Sequence, residues 1–138
     1  MRLVIAALAA ATVASCASGP REASNLGPSP APGAGVASGQ CFRSMDIRNH
    51  TIADDRTLLI DVRSRGAYRV TMSGACLAGA MPSDPIVTRN PPGSDIICKP
   101  IDMDISISKS GFRTPCIVES VVQLTAEELA ALPPKLKP

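Results

Sequence analysis

Between residues 101 and 108 apolar and polar side chains alternate without a break. Ile101, Met103, Ile105 and Ile107 share one side, Asp102, Asp104, Ser106 and Ser108 the other. A period of two is the mark of a strand with one face buried. The same signal recurs at 57–63, where Leu58, Ile60 and Val62 align, and at 67–73, where Tyr68, Val70 and Met72 oppose Arg69 and Thr71. The Ser64-Arg65-Gly66 between them reads as a turn, so these two runs predict a hairpin. Shorter apolar runs at 94–99 and 116–124 predict two more strands. Pro82, Pro85, Pro91, Pro92 and Gly93 predict an irregular loop through most of 80–94. Thr125-Ala126-Glu127-Glu128 has the spacing of a capping box and predicts one short helix, stopped by Pro133 and Pro134. The expected fold is mostly β, a small antiparallel barrel or sandwich of about five strands with one short C-terminal helix.

The first forty residues follow other rules. Leu3 to Val13 is an almost unbroken apolar run behind Arg2, too short for the roughly 20 residues that span a bilayer but right for the core of an export leader. Residues 17–39 are mostly Ala, Ser, Gly and Pro with little to bury, and read as a tether whose r.m.s. reach is about 25 to 30 Å. The expected organisation is therefore a signal peptide at 1–15, Cys16 and its tether at 16–39, a β-rich domain at 40–132, and a loose tail at 133–138.

Composition narrows the picture. Lys and Arg number 14 against 12 Asp and Glu, a near balance that gives no reason to expect a nucleic-acid partner. Phe42, Tyr68 and Phe112 are the only aromatic residues, so platforms for stacking bases or sugars are not expected. So thin a core commonly needs staples. Five cysteines are present; setting Cys16 aside leaves Cys41, Cys76, Cys98 and Cys116, an even set that reads as two disulfides in an exported chain. Four cysteines allow three pairings. The expected one is nested, Cys76–Cys98 inside Cys41–Cys116, tying a central excursion and then the two ends of the domain. A metal site is not expected, since no two cysteines form a C-x₂-C pair and the only histidine, His50, stands apart from them.

Val13-Ala14-Ser15-Cys16 resembles the lipobox of bacterial lipoproteins, an aliphatic residue and two small ones before a cysteine. The resemblance implies that the Cys16 thiol takes a diacylglycerol, that the leader is cut before it, and that the new amine is acylated. Several acyl chains hold a protein on a membrane where one does not. Ala17 stands where lipoproteins retained in the inner membrane often carry Asp. This implies the outer membrane of a Gram-negative cell, with the domain on its periplasmic face.

Catalytic candidates are few. His50, in "RNHT", reads as a surface or capping histidine. Asp102 and Asp104, two apart on a strand, face one side and could share a cation; without further ligand spacing they read as a solvated strand face that discourages edge pairing. Arg43, Arg48, Arg56, Arg63, Arg65 and Arg69 make a local excess of positive charge, diluted by Asp46, Asp54, Asp55 and Asp61 into a mixed solvated surface. No catalytic residue, metal or cofactor is expected.

Residues 40–126 resemble a family of uncharacterised small Gram-negative lipoproteins carrying a four-cysteine domain of unknown function. The residues that carry it are Cys41, Ile47, Asp54 to Leu59, Tyr68-Arg69-Val70, Cys76-Leu77, Ile97-Cys98 and Cys116 with the closing "VVQLT". It implies an architecture and no activity. The expected function is a non-enzymatic envelope lipoprotein that binds or supports another envelope component, held to the membrane by its lipid. The alternative is an inhibitor of an envelope-attacking enzyme such as lysozyme, since "SRGAY" (64–68) is similar to the Ser-Gly…Tyr loop motif of membrane-anchored lysozyme inhibitors. Its glycine stands one place late, and the second motif of that family is missing.

Overall fold

The computed structural model describes residues 26–37, 39–90 and 94–138. Cys16 and the expected leader lie outside these. Nine strands occur among the described residues: β1 (Phe42–Arg43), β2 (Ile47–Ile52), β3 (Thr57–Val62), β4 (Gly66–Met72), β5 (Ile86–Arg89), β6 (Ile96–Ile97), β7 (Asp104–Lys109), β8 (Phe112–Cys116) and β9 (Val118–Gln123), followed by one helix, α1 (Ala126–Ala131). They form three antiparallel sheets ordered β2-β3-β4-β9, β5-β7-β8 and β1-β6. The described residues are mostly β and sandwich-like, with no closed barrel among them.

The hairpin read from 57–73 is the spine of the larger sheet, with β3 and β4 in register from Thr57↔Thr71 to Val62↔Gly66. Its turn needs a positive φ at Ser64 and at Gly66, and a glycine meets the second at no steric cost. Leu58, Ile60, Val62, Tyr68, Val70 and Met72 point into the main core, against Phe42, Ile97, Met103, Ile105, Ile107 and Val121. The alternate residues are buried too. Leu59 and Ala67 join Leu26, Leu124, Leu132 and Leu136 in a second apolar cluster on the opposite face. The sheet is thus the middle of three layers, and this second burial explains why β3 reads as a continuous apolar run rather than a strict alternation.

Several expectations change. Residues 26–37 are not a free tether but lie on the domain. The Gly33 N–H donates to the Glu119 carbonyl, the Val121 N–H to the Ala34 carbonyl and the Val36 N–H to the Cys98 carbonyl, at 2.8, 2.8 and 3.0 Å. The tail is not loose either: Pro134–Leu136 is a 3-10 turn that buries Leu136. Ile101 leaves the alternating face and is 84% exposed, because Pro100–Asp102 is a 3-10 turn and β7 begins only at Asp104. The run 116–124 bends at Ile117, which separates β8 from β9 and carries the chain from one sheet to the other. The Pro-rich loop holds β5, paired with β7 from Ile86↔Ile107 to Arg89↔Asp104.

The disulfides join Cys41 to Cys98 and Cys76 to Cys116. The nested pairing Cys76–Cys98 and Cys41–Cys116 is thereby corrected to an interlocked one. The reason is register: β1 and β6 pair antiparallel at Phe42↔Ile97, so Cys41 and Cys98, one residue beyond that pair, come face to face with Cα atoms 4.6 Å apart. The expected capping box is present, with the Thr125 hydroxyl accepting from the Glu128 N–H at 3.1 Å and the Glu128 carboxylate accepting from the Thr125 N–H at 2.8 Å.

Candidate functional site at the open seam

The two larger sheets are joined on one side, where β8 runs into β9 through Ile117, and part on the other. There β2 and β5, each paired with only one neighbour, flank a pocket of about 200 Å³. Ile47 and His50 of β2, Leu58 and Ile60 of β3, Ile86 and Thr88 of β5, and Met103 and Ile105 line it. The floor is the apolar core seen end-on. In the strand pairing His50 stands opposite Ile60, on the row that also carries Tyr68, so the imidazole faces inward between the sheets. Its Nε2 is buried and bonded to nothing among the described residues. The His50 N–H points away from β3 and is taken by the Asn49 side chain at 2.9 Å, which blunts the β2 edge against strand addition.

This arrangement can hold an apolar group with one polar atom directed at the imidazole. A nucleophilic centre would need a base within reach of a hydroxyl or thiol. Ser44 also lines the pocket, but its hydroxyl is engaged by the Asn90 side chain at 2.5 Å. Among the described residues no three His, Cys, Asp or Glu side chains gather as metal ligands.

The other sequence candidates are dispersed, and most are structurally engaged. The Asp102 carboxylate accepts the Cys98 and Lys99 N–H groups at 3.0 and 2.8 Å. It closes the turn before β7 and does not stand beside Asp104. Asp54 accepts the Arg56 N–H at 2.8 Å in the β2–β3 turn, while Arg56 reaches the Met72 carbonyl and Glu119 at 2.9 and 2.6 Å. Arg48 pairs with Asp61 at 2.9 Å and Arg43 with Asp95 at 3.4 Å. Tyr68 is fully buried, and its hydroxyl donates to the Gln40 carbonyl at 2.9 Å. The "SRGAY" stretch therefore offers no exposed tyrosine to an enzyme cleft.

Sequence reasoning read His50 as a surface or capping histidine, whereas the strand pairing turns its half-buried imidazole inward. That reading did not foresee its surroundings either. Ile86 and Thr88 lie in the segment read as an irregular loop, and no local pattern signals that two sheet edges meet. Ile86, Val87 and Thr88, three β-branched residues in a row between prolines, were the one cue.

No curated protein and no solved structure shows significant similarity to this chain. Over residues 1–137 it matches a family of unknown function, DUF6491. The match spans nearly the whole sequence and brings no activity with it, and this small disulfide-stapled β protein belongs to that family.

Proposed function

We propose that the protein is a non-enzymatic envelope lipoprotein whose domain binds another envelope component at the seam between β2 and β5. In this reading residues 1–15 are removed, Cys16 is acylated, and the lipid holds the domain at the periplasmic face of the outer membrane. The observation that carries it is cysteine use. The chain has five cysteines, and the four beyond residue 40 are consumed in Cys41–Cys98 and Cys76–Cys116. That leaves Cys16 as the odd one, directly behind an export-like apolar run and within a lipobox-like Val-Ala-Ser-Cys. Disulfides belong to oxidising compartments, which agrees with an exported chain.

Binding is favoured over catalysis by the character of the pocket, in which aliphatic side chains and the polar Ser44, Arg48, Asn49 and Thr88 surround one imidazole. A partner of matching chemistry presents an aliphatic or aromatic side chain beside a hydrogen-bonding atom. The experiment is chemical crosslinking of intact envelopes with the full chain, followed by denaturing capture, for the native sequence and for Thr88→Arg, which puts a charge into the seam mouth. A component captured reproducibly by the native chain and lost with Thr88→Arg supports the seam as the binding surface. Capture of lipid alone, or equal capture by both chains, contradicts it.

A further inference from the structure

We propose that the outer edge of β5 receives an extended polypeptide segment of the partner, which adds to the sheet as a strand and sends one side chain into the seam pocket. The inference rests on the reading of the seam as a binding surface, and adds to it the partner's chemistry and the way it is held.

The first observation is backbone pairing. The Ser108 N–H donates to the Pro85 carbonyl at 3.0 Å, which makes these two residues a hydrogen-bonded pair. In an antiparallel ladder such pairs alternate with pairs whose N–H and C=O groups point apart. With Ile86 opposite Ile107 and Thr88 opposite Ile105, the backbone groups of Ile86 and Thr88 therefore point away from β7. β5 is the last strand on that side of its sheet, and no backbone partner meets these groups among the described residues. Donors and acceptors at alternate residues thus face the seam.

The second observation is that the other edges of the two larger sheets are closed. Residues 33 and 34 bond β9 at Glu119 and Val121. On β8 the same alternation turns Pro115, opposite Ser106, outward, where it has no N–H to offer. On β2 the outward N–H of His50 is taken by Asn49. Such closures are how sheets avoid unwanted strand addition. Among the described residues, β5 is the edge that lacks one.

The third observation is what lies behind that edge. The side chains of Ile86 and Thr88 line the pocket with His50, whose buried Nε2 has no partner. A residue paired opposite Thr88 directs its side chain to the same face, and so into the pocket beside the imidazole. An acyl chain would fill the apolar space but leave the Ile86 and Thr88 backbone groups unanswered. A peptide in extended form repeats its own donors and acceptors at the matching interval.

The test uses the full chain and a library of capped hexapeptides with Val, Ile, Leu or Phe at alternate positions and Ser, Thr or Gln between them. Members of the library should bind, and binding should slow amide exchange at Ile86 and Thr88 several-fold. N-methylation of a bound peptide at alternate residues removes the donors along one of its edges. One parity should weaken binding about tenfold, while the other leaves it nearly unchanged. Thr88→Pro deletes an outward N–H that β7 does not use; it should weaken binding by a similar factor, with exchange at Val87 and Arg89 unaltered. No bound peptide, or equal losses from the two parities, overturns strand addition. In the envelope crosslinking, a component lost with Thr88→Arg but kept with Thr88→Pro overturns strand addition and leaves the seam standing. A component kept with Thr88→Arg overturns the seam reading itself.

Discussion

Arg69 is set apart from the other carboxylate-paired arginines by burial. Its side chain is 6% exposed and pairs with Glu128 at 2.8 Å, while another of its nitrogens donates to the Pro28 carbonyl at 3.1 Å. One side chain thus joins the middle sheet to α1 and to the incoming N-terminal segment. The N–H of Thr125 donated to the Glu128 carboxylate is the largest of the influences that hold this acid below its ordinary value of 4.5; the Thr125 side chain and the Arg69 charge act in the same direction, and partial burial opposes them. A depressed carboxyl pKa stabilises the fold fully above the unfolded value, and that contribution is lost as pH falls from 4.5 toward the folded value. Glu128→Ala removes the carboxylate half of the capping box and leaves a buried guanidinium short of its partner, at a cost of about 2 kcal/mol in urea unfolding. The double change Arg69→Met with Glu128→Ala should recover about half of that loss. A double variant as unstable as the sum of its singles would show that the pair is not coupled.

Among the elements, the segment at 26–37 differs most from its sequence. Its composition reads as a tether because side-chain patterns report what can be buried, and this stretch is held chiefly by its backbone. It closes the outer edge of β9, which would otherwise present unpaired N–H and C=O groups. Gly35 allows the approach, since a Cβ there would lie 2.5 Å from the Cys98 carbonyl oxygen. Gly35→Ala should cost about 1 to 3 kcal/mol and speed amide exchange at Val36 and Val121. Gly74→Ala, where a Cβ meets nothing within 4 Å, should stay within about 0.5 kcal/mol; equal effects would mean that the segment is not docked. The elements legible in advance were those whose evidence is local: the 57–72 hairpin from its alternation and turn, and α1 from the Thr125–Glu128 box. β5 was hidden by flanking prolines. Ile101 was misplaced because Asp102, read as a solvated strand residue, caps a turn instead.

At the scale of the molecule, three layers share one middle sheet; Cys41–Cys98 staples β1 to β6 within the small sheet, and Cys76–Cys116 ties the segment after β4 to β8. Neither a pairing nor a seam can be read from spacing, because both depend on which strands meet: Cys41 reaches Cys98 only because β1 finds β6 across 57 residues. The chain-entropy estimate for closures of 57 and 40 residues is about 4 kcal/mol each, set against a typical domain stability of about 5 to 15 kcal/mol. Two disulfides suit an oxidising compartment, in agreement with the proposal that the chain is exported and anchored through Cys16. The most direct test is non-reducing peptide mass spectrometry of the protein extracted from membranes. The account predicts a mature chain that begins at Cys16 with acyl mass on that residue, and linked peptides joining Cys41 to Cys98 and Cys76 to Cys116. An unmodified Cys16 in a chain that retains residues 1–15, or free thiols at the other four cysteines, would contradict it.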